Sequence, residues 1–144
     1  MNKKLKIYLD NCCFNRPFDD QEQTSIHLES EAKLCIQEQV MNNEVELVWS
    51  YILDYENYLN PFEERKNMVQ KWKDRAVDDI VENDELLSLA EEFFKLGIKS
   101  KDSLHISCAI YAKCDLFITT DKSILNKMEN NKAIKVINPL DYYK

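Results

Sequence analysis

Leu5-Lys6-Ile7-Tyr8-Leu9 runs straight into Asp10, and Leu116-Phe117-Ile118-Thr119-Thr120 runs straight into Asp121. Each is a short β-prone run ended by a carboxylate. Between and around them, helical and strand patterns alternate. From Thr24, the residues Leu28, Ala32, Cys35, Ile36 and Val40 form a helical stripe that stops at Asn42-Asn43. Val45-Glu46-Leu47-Val48-Trp49 is a second strand, and Ser50 is a natural N-cap for a helix through Leu59. Asn60-Pro61-Phe62-Glu63 reads as a further helix start, with an Asn cap and proline at the first helical position. Its apolar face is Phe62, Val69, Trp72 and Ala76.

The stretch from Asn11 to Gln21 reads as a loop, and Asp78 to Val81 fits either a turn or a short strand. Asn83 or Asp84 caps a helix that buries Leu86, Ala90, Phe93 and Phe94, ended by Gly97 at positive φ with Ile98 packing back. A helix opened by Ser100 runs from Asp102 to about Ala112, another spans Asp121 to Met128, and the strand Ala133 to Ile137 stops at Pro139. No hairpin signal joins neighbouring strands. The pattern predicts an α/β fold with a parallel sheet, as one domain over residues 1–144.

Counts narrow the chemistry. The chain carries 19 Lys and Arg against 26 Asp and Glu, a formal charge of −7, which disfavours coating nucleic acid by bulk electrostatics. Its one glycine, Gly97, excludes a dinucleotide fingerprint, a phosphate-cradling P-loop and a nucleophile elbow, each of which needs at least two. The two histidines, His27 and His105, are too far apart for a zinc-protease helix, and the five cysteines contain no C-x-x-C pair. An odd cysteine count and an apolar start broken at once by Asp10 predict reduced thiols and a cytoplasmic location. The remaining chemistry has to come mainly from carboxylates.

In open parallel sheets, function gathers beyond the carboxyl ends of the strands. Asp10 and Asp121 should both point at that rim. Asp102 lies in the first turn of its helix, where a negative charge is favoured. Glu56 shares the expected stripe of Ile52, Tyr55 and Leu59, and a carboxylate on a packed face needs a partner or a metal. Asp54 is displaced around the helix and reads as a surface charge, with a substitution cost below about 0.5 kcal/mol. Carboxylates at a rim suit Mg²⁺, which takes hard oxygen ligands.

Ile7-Tyr8-Leu9-Asp10-Asn11-Cys12, Glu56 in a helix after a strand, Lys101-Asp102-Ser103-Leu104-His105-Ile106 and Ile118-Thr119-Thr120-Asp121 together resemble the PIN-domain family. Val136-Ile137-Asn138-Pro139-Leu140 is similar to the end of such domains. The resemblance implies a three-layer α/β/α fold with its first strand central. It implies Asp10, Glu56, Asp102 and Asp121 around one or two Mg²⁺ or Mn²⁺ ions, as both metal ligands and catalytic residues. It also implies a metal-dependent endoribonuclease acting on RNA, of the VapC toxin type, with an antitoxin protein and a second copy of the chain as partners to test for. Thr120 matches the hydroxyl found before the last Asp, and Asn11 stands where the family often has Thr or Ser. Both are expected at the substrate.

Arg16, Lys99, Lys101 and Lys122 flank the expected site and are candidate backbone contacts. His105, Cys12, Cys13, Trp72, Phe93 and Phe94 read as packing residues. Two rival functions fit parts of the sequence. One is a PIN-like interaction module without turnover; the other is a phosphoacceptor domain using Asp54 near Asp10, Thr120 and Lys122. The second conflicts with the placement of Asp54 inside a helix, because an acceptor belongs at a strand end.

Overall fold

A computed structural model describes residues 3–143. Five strands, β1 (Leu5–Leu9), β2 (Val45–Ser50), β3 (Asp78–Ile80), β4 (Leu116–Ile118) and β5 (Lys135–Ile137), form one all-parallel sheet in the order β3-β2-β1-β4-β5. β1 is central, as expected. Its register aligns Tyr8 with Val48 on β2 and with Phe117 on β4. Seven helices connect the strands among the described residues: α1 (Asn11–Asn15), α2 (Thr24–Met41), α3 (Tyr51–Tyr58), α4 (Glu63–Gln70), α5 (Asp84–Lys95), α6 (Ser100–Tyr111) and α7 (Lys122–Met128).

Right-handed crossovers put the helices before β3 on one face and those after it on the other. The side chains agree. Trp49 packs edge-on against Phe14 of α1, while Tyr8 stacks on Phe117 and meets His105 of α6. Ile7, Tyr8, Leu9, Leu47, Val48, Trp49, Phe117 and Ile118 are all fully buried. A central strand covered on both faces reads as a continuous apolar run, and that is what makes Ile7-Tyr8-Leu9 decisive.

Several elements depart from the sequence reading. The expected loop after Asp10 folds into α1 and a 3₁₀ turn, Arg16–Phe18. Asp10 Oδ1 accepts the Asn11 N–H at 2.8 Å and so caps α1. α4 begins at Glu63 rather than Pro61, because Asn60 Oδ1 takes the Phe62 N–H in a turn of its own (3.1 Å). Phe62 and Phe94 are exposed instead of packed. Asp78–Ile80 is a strand, on one edge of the sheet.

The largest correction concerns α2. Its buried face is Glu29, Ser30, Lys33, Ile36, Gln37 and Val40, whereas Leu28, Leu34 and Met41 face outward. Glu29, Ser30 and Lys33 are held by partners distant in sequence. Glu29 pairs with Arg16 Nε (3.2 Å) and accepts from Asn138 Nδ2 (2.5 Å), and Ser30 Oγ donates to the Arg16 carbonyl (2.9 Å). Lys33 lies over the Phe14 ring, and burial pushes its ammonium down to about 7, which makes the neutral amine accessible near neutral pH.

α5 ends as read. Ile98 N–H reaches the Phe93 carbonyl and Gly97 N–H the Phe94 carbonyl, with Gly97 at φ 92° and Ile98 buried. Space for a Cβ exists there, since its nearest neighbour is Lys127 Nζ at 3.8 Å, so the cost of a side chain is conformational. Gly97→Ala should lower stability by roughly 1–2 kcal/mol without altering the fold. Urea unfolding with an unchanged m-value would check it.

Candidate metal centre

The site is built at the carboxyl end of β1. Asp10 N–H donates to the Ile118 carbonyl (2.9 Å), so the parallel ladder continues one residue past the strand and fixes the backbone beneath the carboxylate. Asp10 is only 5% exposed. Its Oδ2 accepts from Thr119 Oγ1 at 2.8 Å, with Cys12 Sγ at 3.5 Å. Thr119 Oγ1 in turn accepts the Asp121 N–H at 3.1 Å. One buried hydroxyl therefore ties the end of β1 to the end of β4. The sequence reading singled out Thr120; that residue is buried beside Cys12, with its N–H 3.4 Å from Cys12 Sγ.

Glu56 arrives from α3. Ser50 caps this helix as expected, its Oγ accepting the Leu53 N–H at 3.4 Å. The buried face is Ile52, Leu53 and Asn57, while Tyr55 and Leu59 are half exposed, so the stripe assigned to Glu56 is partly wrong. Glu56 nevertheless sits at the edge of the packed side and reaches inward to His105. Asp54 is not a plain surface charge. It accepts the indole N–H of fully buried Trp49 (2.9 Å) and pairs with Lys73 (3.1 Å). Asp54→Ala would strand that indole N–H, so its cost should be about 1–3 kcal/mol rather than the surface value.

His105 joins the cluster. It lies one turn after Asp102 on α6 and is fully buried. Nε2 contacts Glu56 Oε1 and stands 3.8 Å from Asp10 Oδ1. Nδ1 is 2.6 Å from the Tyr8 hydroxyl, itself 2.6 Å from Ser50 Oγ. Burial opposes protonation of the ring, but the Glu56 bond and the charges of Asp10, Glu56 and Asp102 outweigh it and raise the His105 pKa. The spacing Asp-x-x-His, which places both side chains on one helix face, was the available signal.

Asp10, Glu56 and His105 offer ligand atoms within 4.8 Å of one another. Asp102 and Asp121 are not in that tight group. Asp121 caps α7, its Oδ1 accepting the Ser123 and Ile124 N–H groups at 2.8 and 3.2 Å. Asp102 is coupled to the group by charge: burial first, then Asp10 and Asp121, push its carboxyl up to about 6 against the attraction of His105. Asn11 lines a cleft of about 280 Å³ beside Glu56, with Asn15, Asn60 and Arg65. Asn60 donates to Asn15 (3.1 Å), and Asn15 donates to the Asn11 carbonyl and side-chain oxygens (3.0 and 3.2 Å). Arg16 is held by Asp19 and Glu29, and Lys101 lies over the Tyr55 ring.

The donor set fits a divalent cation. Carboxylate oxygens dominate it, they are brought together at one rim, and burial together with the charges of Asp10 and Asp121 raises the Asp102 carboxyl. The class is therefore a parallel α/β domain that gathers a carboxylate cluster, compatible with a metal ion, where its central strands end. The chain belongs to the PIN domain family, whose pattern matches residues 7–130, from β1 to just beyond α7. Comparison with curated proteins gave no match. The fold is of the nuclease type, and its buried acidic cluster is compatible with metal binding. No described helix is long and apolar enough to cross a membrane.

Because the folded-state pKa of Asp102 lies above its ordinary 3.8, ionising it costs stability. The penalty is absent below pH ~4, builds as pH rises from ~4 to about 6, and stays constant above that. In chelator-treated protein, Asp102→Asn should match the wild-type Tm near pH 4, exceed it increasingly up to about pH 6, and keep that margin at pH 7. Parallel Tm curves would remove the coupling.

Proposed function

We propose that this protein is a metal-dependent endoribonuclease that hydrolyses RNA phosphodiester bonds. The observation that carries the reading is the convergence of Asp10, Glu56 and His105, from the end of β1, α3 and α6, beside Asp102. Asp10, Glu56, Asp102 and Asp121 would hold Mg²⁺ or Mn²⁺. When bound, such an ion activates water and neutralises phosphate charge. It also answers the charge objection, since an acidic rim repels a phosphodiester until a cation intervenes.

The chain's own residues prepare the site. Thr119 and the ladder beneath Asp10 hold that carboxylate in one orientation, so it needs little reorganisation to receive a cation. Asn11, which lines the cleft beside Glu56, and Thr120, buried beside Cys12, are our candidates for the substrate end of the site. The Asn60–Asn15–Asn11 chain commits Asn11 Oδ1 as an acceptor and leaves its amide hydrogens to donate to the substrate. Arg65, over the Phe62 ring, supplies a cation to the same cleft. We read the protein further as the toxin of a toxin–antitoxin pair, whose inhibitor would insert an Arg or Lys among the carboxylates. Inhibition weakened by salt would support that mechanism, and salt-insensitive inhibition through a remote apolar surface would contradict it.

The test is cleavage of mixed RNA and DNA with Mg²⁺ or Mn²⁺, using two variants in parallel. Glu56→Gln preserves shape, removes a ligand charge, and should lose at least about 100-fold in cleavage of RNA. Asp54→Asn keeps an acceptor for the Trp49 indole and should retain wild-type activity. An inactive Asp54→Asn beside an active Glu56→Gln would favour the phosphoacceptor rival. Metal binding without cleavage of either nucleic acid would favour the interaction module.

A further inference from the structure

Building on the reading that a divalent metal sits among these carboxylates, we propose that His105 ligates it through Nε2 and makes the centre select Mn²⁺ over Mg²⁺. The four acids implied by the sequence would form an all-oxygen site, and an all-oxygen site offers little basis for such a choice. The structure supplies a nitrogen instead. His105 is the third member of the tight donor group, fully buried, with Nε2 toward Glu56 and Asp10.

The far side of the ring is organised as a ligand requires. A metal-binding imidazole directs its other nitrogen to a fixed partner, which sets the tautomer and the ring plane. Here that partner is the Tyr8 hydroxyl, and Tyr8 is in turn within hydrogen-bond distance of Ser50 Oγ. Protons along this chain can run in one of two directions. With a cation among the carboxylates, an Nε2–H would point a positive hydrogen at a positive ion. The lower-energy arrangement has Nδ1–H donating to Tyr8 and the Tyr8 hydroxyl donating to Ser50, which leaves the Nε2 lone pair facing inward. The change moves the ring proton from Nε2 to Nδ1 and turns the hydroxyl hydrogens of Tyr8 and Ser50. Mg²⁺ prefers oxygen ligands and sheds water reluctantly, whereas imidazole suits later, softer ions.

The experiment uses the intact protein with Mn²⁺ or Mg²⁺ alone, without RNA. Pulsed EPR of the Mn²⁺-loaded protein should show ¹⁴N modulation from a directly bound imidazole. Calorimetric titration should give Mn²⁺ an affinity at least ~10-fold above that of Mg²⁺, a preference that His105→Gln abolishes. Tyr8→Phe keeps the ring and the packing, and should weaken Mn²⁺ binding by about 10–100-fold while retaining the nitrogen signal. Bound Mn²⁺ without ¹⁴N modulation would overturn nitrogen ligation and leave the metal reading standing. Nitrogen ligation with equal affinity for the two ions would overturn the selectivity. Failure of the wild type to bind either ion would overturn the metal centre itself, together with this inference.

Discussion

Like charges brought to one point at the end of a buried strand are the constraint around which this molecule is arranged. Asp10 is nearly inaccessible to water, Glu56 reaches toward it from α3, and Asp102 feels both. Unrelieved, such a group would push the chain apart or hold protons it does not ordinarily keep. Relief comes from several directions. A backbone N–H and a threonine hydroxyl bind Asp10, two helix N–H groups bind Asp121, and an imidazole stands between Asp10 and Glu56. Each donor occupies one direction around a carboxylate and thereby fixes where its remaining lone pairs point. The scaffolding that makes the repulsion tolerable is also what gives the cluster a defined shape.

The same logic explains the uneven legibility of the sequence. Strands ending in Asp10 and in Thr119-Thr120-Asp121 could be read directly, because a central parallel strand is apolar throughout and its end is marked by the first charge. The cap at Ser50 and the turn at Gly97 were equally local, and both hold. What periodicity could not show were bonds across the fold. The inward face of α2 is polar because Arg16 and Asn138 wait for Glu29, and a stripe of apolar residues gives no hint of either. His105 looked like a packing residue because its partners, Tyr8 and Glu56, are 97 and 49 positions away; only its offset from Asp102 was on view. Asp54 was misjudged for a related reason, its indole partner being buried on the preceding strand.

Thr119 and Thr120 show how fine the distinction can be. Successive residues at a strand end point to opposite sides, so neighbouring hydroxyls take different work. Thr119 binds the Asp10 carboxylate and the Asp121 backbone, whereas the Thr120 backbone rests against the Cys12 sulfur. Fixing one carboxylate to the chain of another is a structural task, and it falls to Thr119 rather than to its buried neighbour.

The central position of β1 has a consequence for synthesis. The strand is made first, yet β4, one of its two sheet neighbours, is made last but one. Asp10 finds its hydroxyl partner 109 residues later, and Tyr8 finds its imidazole 97 residues later. Long-range pairing of this kind cannot form on a short nascent chain and is slow to close. On a ribosome adding roughly 5–20 residues per second, the acidic end of β1 waits several seconds for the segments that complete it. A growing chain therefore carries its carboxylates apart, and cluster and fold come into being together.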